Sequence, residues 1–445
     1  MATIGFISLG CAKNQVDCER MMYRVQEAGH SVNPELVGSD VVVINTCGFI
    51  DSAKTEAIDH ILLAADLKQQ GLIGKILVTG CLSQRYQQQV LHEMPEVDGV
   101  LGTGSYTHIV EAIDDLLREK AVVDFASIDT PEEETGRVLT TPEHYAYIKI
   151  AEGCDNRCSY CIIPYLRGKY RSRQMDDVLY EARLLAENGV KELIVVAQDT
   201  SRYGTDFPEH KRLLPELLRE LCKIEKLSWI RIHYLYPDEI DDELMDVVAS
   251  EPKIVKYLDI PIQHCSDKVL KLMNRRGDGT FLRALFAKLR ERIPGVVIRT
   301  SVITGLPGEG EEEFRELCEF LKEQRLVRTG AFVFSPEEGT PAADMEHVDF
   351  DTAADRAELI QQLQGEIMDE YNASMLGKTL EVLVDGFDEE AEQFYGRTFA
   401  DSPDIDGRVW IASEEALMEG TFVRVKIDGL VDGDLSGYLV EEEEA

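Results

Sequence analysis

The chain has 445 residues, more than one hydrophobic core usually supports, so two or three domains are expected. Its 46 basic and 83 acidic residues give a formal net charge of −37, which disfavours nucleic acid as a partner and suits a basic protein. Solubility or a saline cytoplasm would explain the same charge, so this observation does not decide the function by itself.

The chain begins with an apolar alternation and no basic leader, and no apolar run approaches the roughly 18 residues of a membrane span. We therefore expect a soluble, cytoplasmic protein with no membrane contact. The sequence holds ten cysteines. In a long cytosolic chain, clustered cysteines indicate metal binding or catalysis more often than disulfides.

Residues 1–125 are predicted to form an α/β domain with an open parallel sheet. Three strand-like runs are each followed by a cysteine and then by a helical pattern: Ile4–Leu9 before Cys11, Val41–Ile44 before Cys47, and Ile76–Val78 before Cys81. Ligands of open parallel sheets bind outside the carboxyl ends of the strands, so these three thiols should converge. One buried cysteine at a strand end would be ordinary, but three at the same place in successive units indicate a cluster site. We call Cys11, Cys47 and Cys81 the N-terminal triad.

Residues 126–143 lose their periodicity and carry Pro131, Gly136 and Pro142, which predicts a linker. Residues 144–375 alternate strand and helix again. Their predicted strands are Tyr145–Ala151, Glu192–Ala197, Trp229–Tyr234, Tyr257–Ile262, Val296–Ile303 and Ala331–Phe334, and an amphipathic helix follows over 351–376. Six such units predict an open, partial (β/α)6 barrel with its chemistry at the carboxyl ends of the strands.

The first barrel strand leads into three cysteines spaced CxxxCxxC: Cys154, Cys158 and Cys161, which we call the central triad. Thiolates hold iron–sulfur clusters, and three ligands on a four-iron cluster leave one iron open for a small molecule. A zinc knuckle with a distant fourth ligand is the alternative. The spacing, with Tyr160 just before the last cysteine, resembles the signature of radical S-adenosylmethionine (SAM) enzymes.

Two other stretches of the central domain are candidate binding elements. The turn Gly305–Glu309 follows a strand, and its glycines would let a ligand approach the backbone, although an ordinary strand-to-helix turn uses the same residues. A basic cluster follows the cysteine loop and consists of Arg167, Lys169, Arg171 and Arg173. It could meet a carboxylate or form a solvated face.

Residues 376–445 are predicted to form a small antiparallel β-barrel of the OB-like kind. The supporting short alternating runs are Leu380–Val384, Arg408–Ile411, Thr421–Ile427 and Ser436–Val440. Such barrels often bind RNA, but this segment holds 5 basic against 19 acidic residues from 377 onward. A barrel that grips RNA should be basic, so we expect a basic protein partner. The final Glu441–Glu444 run is predicted to be a solvated tail.

Over its whole length the chain resembles the methylthiotransferases of the radical SAM superfamily, which have an N-terminal cluster domain, a radical SAM domain and a C-terminal TRAM barrel. One branch of that family modifies an adenosine in tRNA, and another modifies an aspartate of ribosomal protein uS12. Five stretches are similar to the aspartate branch: Leu9–Asn14, Asn45–Asp51, Gly153–Cys158, Ala197–Ser201 and Pro261–His264. Gly310 departs from the family, which more usually has Thr there, and Cys18 stands where Ser is common.

The resemblance implies a role for each matching residue. The central triad would hold a [4Fe–4S] cluster that binds SAM and cleaves it to a 5′-deoxyadenosyl radical, and the N-terminal triad would hold an auxiliary [4Fe–4S] cluster that carries the sulfur. The implied SAM-pocket residues are Tyr160, Gln198, Thr304, Gly305, Pro307, Gly308 and Glu309. The residues expected to pair with the substrate carboxylate are Arg167, Lys169, Arg171 and Arg173.

The implied reaction converts a uS12 aspartate to 3-methylthioaspartate at its β-carbon. Radical chemistry suits this unactivated C–H bond, because no protein acid or base removes that proton readily at neutral pH. The implied partners are uS12 or the small ribosomal subunit, met through the acidic barrel, together with an electron donor and a sulfur donor. The alternatives are methylthiolation of a tRNA adenosine and, from another class, an iron–sulfur carrier or scaffold.

Overall fold

The computed structural model of the chain describes residues 1–130 and 135–440. Pro131 of the predicted linker and the predicted tail Glu441–Glu444 lie outside the described residues. Two open sheets of six strands each and one closed barrel confirm the predicted α/β architecture with its C-terminal barrel. Within the described residues, every helix is too short or too polar to cross a bilayer.

The first sheet has the strand order β2-β1-β3-β4-β5-β6, and all its pairings are parallel. Its elements are β1 (Thr3–Ser8), α1 (Ala12–Glu27), β2 (Ser31–Asn33), β3 (Val41–Thr46), α2 (Asp51–Gln69), β4 (Lys75–Gly80), α3 (Cys81–Tyr86), α4 (Gln88–Glu93), β5 (Gly99–Leu101), α5 (Ile109–Leu117) and β6 (Val122–Asp124). The three predicted strands are confirmed as β1, β3 and β4. The strands that the sequence did not predict have three residues each, too few to show an alternation.

The second sheet runs β14-β13-β12-β11-β10-β7 with parallel pairings throughout, as an open barrel requires. Its elements, with a small two-stranded sheet of β8 and β9, are β7 (Tyr145–Lys149), β8 (Ala151–Glu152), α6 (Ile163–Arg167), β9 (Arg171–Ser172), α7 (Met175–Glu187), β10 (Glu192–Val196), α8 (Leu214–Cys222), β11 (Trp229–Ile232), α9 (Asp242–Ser250), β12 (Ile254–Asp259), α10 (Asp267–Leu272), α11 (Gly279–Arg292), β13 (Val297–Thr304), α12 (Glu311–Gln324), β14 (Arg328–Val333) and α13 (Phe350–Ala373). All six predicted strands are confirmed within a few residues.

The C-terminal barrel closes in the order β15-β16-β17-β19-β18. Its strands are β15 (Thr379–Asp388), β16 (Gln393–Arg397), β17 (Val409–Ala412), β18 (Phe422–Val431) and β19 (Asp434–Leu439). Four pairings are antiparallel, whereas β17 and β19 pair in parallel and thereby close the barrel. The closed form leaves no long exposed strand edge among the described residues of this domain.

Helix α1 connects the N-terminal and central domains. Its Val16 is fully buried and packs against Tyr145 and Tyr147 of β7. A buried ion cluster, the Glu181 cluster, lies at the same boundary: Glu181 of α7 pairs with Arg173 at 2.6 Å, with Arg137 at 3.2 Å and with Arg20 of α1 at 3.4 Å. The described part of the linker therefore lies along α1 and helps to fix the two domains together.

The barrel is joined to the central domain by a second buried ion network. Arg397 donates to Glu192 at the start of β10 at 2.6 Å and to Asp385 of the barrel at 2.7 Å. The same Glu192 accepts from Arg231 at 2.7 Å, and Asp385 lies 2.8 Å from His144. Because every one of these side chains is largely buried, the barrel is anchored at the end of the second sheet opposite the cysteine loop.

Candidate functional site

The N-terminal triad lies where three neighbouring parallel strands end. Cys11 precedes the first turn of α1 just beyond β1, Cys47 directly follows β3, and Cys81 directly follows β4. Because β1, β3 and β4 are adjacent in the sheet, the three thiols share one edge, as the sequence predicted.

Two glycines allow the triad to come together. Gly10 has φ of 89°, and a Cβ there would lie 2.7 Å from the Cβ of Cys47. Gly80 has φ of 98°, and a Cβ there would lie 2.4 Å from the carbonyl oxygen of Thr46. Both positions combine a left-handed backbone with a close approach, which only glycine tolerates.

The central triad lies on the loop between β8 and α6. The loop is fixed by backbone hydrogen bonds, with Cys154 donating to Gly168 at 3.1 Å and Ser159 donating to Met273 at 3.0 Å. The Ser159 hydroxyl also donates to the carbonyl of Leu272 at 2.9 Å. The three thiols are therefore presented by a loop that the end of α10 supports.

All six cysteines of the two triads line one cavity of about 360 Å³ between the N-terminal and central domains. Burial, with a smaller contribution from neighbouring thiols, raises the pKa of Cys47 to about 12 and that of Cys154 to about 11. A bound iron offsets this cost, because metal ligation stabilises the thiolate.

The spacing of the thiols bears on what they can hold. Within the described residues, no three His, Cys, Asp or Glu side chains lie close enough to share a single metal ion. A cuboidal cluster binds each thiolate through a different iron and so keeps its sulfur ligands apart. The donor set of each triad, three thiols, is of the kind that iron–sulfur clusters use.

A buried quartet of charges includes Arg167, which lines the cavity beside the N-terminal triad. It consists of Asp17, Lys149, Glu152 and Arg167, and each side chain is less than a tenth exposed. Arg167 donates to Asp17 at 2.5 Å and to Glu152 at 3.2 Å, and Lys149 pairs with both carboxylates. Burial opposes ionisation of Glu152, but Lys149 and Arg167 outweigh it and lower the pKa of Glu152 strongly. The quartet is therefore charged and neutral overall.

Arg167 also reaches the N-terminal triad directly. Its Nε donates to the Sγ of Cys81 at 3.4 Å, and its Nη2 donates to Asn14 at 2.9 Å. Because the guanidinium of Arg167 already pairs with Asp17 and Glu152, little of its charge is available to bind a substrate carboxylate.

The opposite wall of the cavity is formed around Arg275, which follows α10. Its guanidinium donates to the Tyr160 hydroxyl at 3.1 Å and to the carbonyl of Pro261 at 2.6 Å, and it lies 4.4 Å from the centre of the Tyr236 ring. The Sγ of Cys158 is 3.8 Å from the same guanidinium. Arg275 therefore places a positive charge beside the central triad.

The predicted SAM-pocket residues fall into two groups. Tyr160 and Gln198 line the cavity, and Gln198 donates to Glu152 of the quartet. The remaining five form the turn after β13: Thr304, Gly305, Pro307, Gly308 and Glu309. That turn docks α13, since the Thr304 hydroxyl donates to Ala353 at 2.8 Å and Glu309 pairs with Arg356 at 2.8 Å. The SAM role of these seven residues stays a prediction.

The four basic residues predicted to meet the substrate are also divided. Arg167 lines the cavity. Arg173 belongs to the Glu181 cluster, Arg171 lies near Asp129 at 3.7 Å, and Lys169 is an exposed side chain whose backbone donates to Asp129. The substrate role of the four stays a prediction.

Several residues of the cavity were not predicted as site residues. The most informative are Lys13, Tyr234, Tyr236 and Arg275. Lys13 could have been suspected, because it stands two positions after Cys11. Arg275 carried no such signal, because it lies 117 residues after Cys158 and only the fold brings it to the triad.

Comparison with known proteins agrees with this arrangement. Residues 148–321 match the model of the radical SAM superfamily, residues 3–102 match the model described as uncharacterized protein family UPF0004, and residues 376–440 match the TRAM domain. The chain is 46% identical over 439 residues to "Ribosomal protein uS12 methylthiotransferase RimO" of Caldanaerobacter subterraneus subsp. tengcongensis, covering 98% of this chain and 100% of that one. It is 48% identical to the protein of that name from an Anaeromyxobacter species, covering 97% and 92%.

Solved structures show the same fold at low identity. The chain superposes on the radical SAM methyltransferase TsrM of Kitasatospora setae with a TM-score of 0.57 at 14% identity, covering 77% of this chain and 75% of that one. It superposes on the cobalamin-dependent radical SAM enzyme OxsB with a TM-score of 0.53 at 12% identity, covering 81% and 56%.

Proposed function

The chain belongs to the RimO family of ribosomal protein uS12 methylthiotransferases, and from that membership we propose how its residues carry out the reaction. It is a radical SAM enzyme that adds a methylthio group to the β-carbon of a uS12 aspartate. The observation that supports the details below is the single cavity lined by all six cysteines of the two triads.

Cys154, Cys158 and Cys161 would hold one [4Fe–4S] cluster, and Cys11, Cys47 and Cys81 would hold another, each with one open iron. When bound, the first would supply the electron for SAM cleavage and the second the sulfur to be inserted. Because both triads line one cavity, a single substrate side chain can meet the radical and the sulfur without leaving the protein.

The residues of this chain bind and orient SAM and the substrate and shield them from water. Tyr160 and Gln198 face the SAM side of the cavity, and the turn Thr304–Glu309 supports that side from behind by docking α13. Arg275 balances negative charge at the central triad, and Arg167 does so at the N-terminal triad. Within the basic cluster, acidic side chains already pair with Arg167, Arg171 and Arg173. The exposed Lys169 is the member that attracts the acidic side chain of the substrate.

The acidic barrel receives the protein partner. A segment with 5 basic and 19 acidic residues suits a basic ribosomal protein, free or in the small subunit, and repels the phosphates of tRNA. An electron donor and a sulfur donor complete the partners, and the reaction belongs to the cytoplasm, where ribosomes are assembled.

The deciding experiment offers two substrates to one enzyme. Anaerobically reconstituted protein is incubated with SAM, sulfide and reductant, in parallel with uS12 and with unmodified tRNA, and the products are measured by mass spectrometry. We expect a methylthio group on a uS12 aspartate and none on tRNA. Modification of a tRNA adenosine would instead support the other branch, and 5′-deoxyadenosine formed with neither product would refute both substrates.

The assignment of two clusters has its own test. Replacing Cys154, Cys158 and Cys161 together by Ala should halve the iron and sulfide content, because the N-terminal triad keeps its cluster. The matched control replaces Cys222 and Cys318, two half-buried cysteines of the same domain that lie away from the cavity, and should keep all the iron. Complete loss of iron in the triple variant would contradict an independent N-terminal cluster.

A further inference from the structure

The cavity between the triads contains a lysine, Lys13, whose charge is not matched by a carboxylate. Lys13 lines the cavity and is 8% exposed. Its Nζ lies 3.3 Å from the centre of the Tyr234 ring. Among the described residues, no carboxylate lies within ion-pair distance of that ammonium group, although buried charges are as a rule paired.

The other charged groups of the cavity are already matched or held. Arg167 belongs to the neutral quartet. Arg275 commits its donors to Tyr160 and Pro261 beside the central triad. Asp199 accepts from Asn156 at 2.7 Å and from Ser201 at 2.5 Å, so the carboxylate of the cavity is bound without Lys13.

Lys13 belongs to the N-terminal domain, and its ring partner belongs to the central domain. It stands in the first turn of α1, two residues after Cys11, and its ring partner Tyr234 follows β11 of the central domain. Tyr234 has φ of 60°, a left-handed conformation that is rare for a bulky residue and is held by a hydrogen bond from its N–H to Asp259 at 3.1 Å. The ring therefore faces the ammonium group from the opposite domain.

We propose that Lys13 binds the side-chain carboxylate of the substrate aspartate and selects aspartate over asparagine. The inference rests on the proposed function, because it names the cation that receives the acidic side chain in that reaction. A cation–π contact is weaker than a charge-assisted hydrogen bond, so the flexible lysine can exchange the Tyr234 ring for a carboxylate. The adjacent β-carbon is then fixed between the two triads.

The test measures binding without turnover. Cluster-loaded enzyme with SAM and no reductant is titrated with uS12 carrying its aspartate and with uS12 in which that aspartate is replaced by Asn. We expect Lys13→Gln to weaken binding of the aspartate form by about ten- to a hundredfold, the range expected for a hydrogen bond to a charged group. The asparagine form should be affected little, and Lys13→Arg should restore most of the affinity.

Controls distinguish carboxylate binding by Lys13 from other roles of its ammonium group. Lys120→Gln, at an exposed lysine of the N-terminal domain, should change neither affinity. Equal weakening of both uS12 forms by Lys13→Gln, or none, would overturn the proposal. Weaker SAM binding in the absence of uS12 would assign the ammonium to SAM instead, and halved iron in both the Gln and the Arg variants would assign it to the N-terminal cluster.

The outcome is distinct from that of the proposed function. If the wild-type enzyme places no methylthio group on uS12, the proposed substrate is wrong whatever Lys13 does. If the wild-type enzyme modifies uS12 while Lys13→Gln binds both forms of uS12 as tightly as wild type, the function stands and the role of Lys13 is refuted.

Discussion

Asp17→Asn is expected to loosen the contact between α1 and the central domain by about 3 kcal/mol. Asp17 is the carboxylate that the N-terminal domain gives to the buried quartet, where it pairs with Lys149 and Arg167. The amide keeps the shape of the side chain but leaves the quartet with one uncompensated positive charge. Removing one partner of a buried pair costs about 3–5 kcal/mol, and the lower end applies because Glu152 still contacts both cations.

Hydrogen–deuterium exchange of the amides of α1 (Ala12–Glu27) measures this cost locally in the cluster-free protein. A loss of 3 kcal/mol corresponds to exchange that is faster by about two orders of magnitude. The matched control is Asp114→Asn, the same chemical change on the surface of the same domain, where Asp114 is 38% exposed and pairs with Arg118. A surface pair of this kind contributes about 0.5 kcal/mol or less.

Two outcomes of the exchange experiment would contradict this reasoning. If α1 exchanges at the same rate in the Asp17 and Asp114 variants, the buried quartet does not hold the two domains together. If exchange rises equally in the C-terminal barrel, the cost is global and the local reasoning from the quartet is refuted.

Three other changes test particular contacts. Gly10→Ala should halve the iron content, because the new Cβ would lie 2.7 Å from the Cβ of Cys47. The control Gly29→Ala, with φ of 85° and no atom within 4 Å of the new Cβ, should keep all the iron. Equal iron content in both variants would contradict the steric argument. Burial raises the pKa of Glu181, but the arginines of the Glu181 cluster outweigh it and lower the pKa to about 2, below the usual 4.5. The ion cluster therefore contributes roughly 3 kcal/mol to the free energy of unfolding above pH 4.5 and loses this contribution as the pH falls towards 2. In urea unfolding, the stability difference between wild type and Glu181→Gln should shrink over that pH window. A constant difference would contradict the assigned role of the ion cluster. Arg397→Met should make limited proteolysis release the barrel about ten times faster or more, because it removes the bridge between the barrel and the central domain; an unchanged rate would show that other contacts hold the barrel.

Much of the site could be predicted because its signals are local. Each cysteine of the N-terminal triad follows its own strand, and parallel strands end at one edge, so convergence follows from three repeats of the same short pattern. The CxxxCxxC loop carries its spacing within eight residues of sequence, from Cys154 to Cys161. The prediction of a closed C-terminal barrel also depended on short alternating runs, and it is confirmed.

Other predictions had no local basis. The basic cluster after the cysteine loop looked like one surface in the sequence, because an extended strand places every second residue on the same face. The segment is not one strand: Arg167 ends α6, Gly168 has φ of 75°, and β9 consists of Arg171 and Ser172 alone. Its four side chains therefore lie in different surroundings: Arg167 joins the quartet at the cavity, Arg173 joins the Glu181 cluster, and Arg171 lies near Asp129. The turn after β13 likewise docks α13, and nothing in its own sequence indicated that partner.

The sequence by itself determined how the cysteines are grouped and that the barrel carries a negative charge, because these properties belong to residue types and short spacings. Only the tertiary structure decided that the two triads open into one cavity, because that depends on how α1 packs between two sheets. It also decided which cations remain available there. Asp17 and Glu152 neutralise Arg167, whereas Lys13 faces an aromatic ring, and charge pairing of this kind is set by distances between side chains that lie far apart in the sequence.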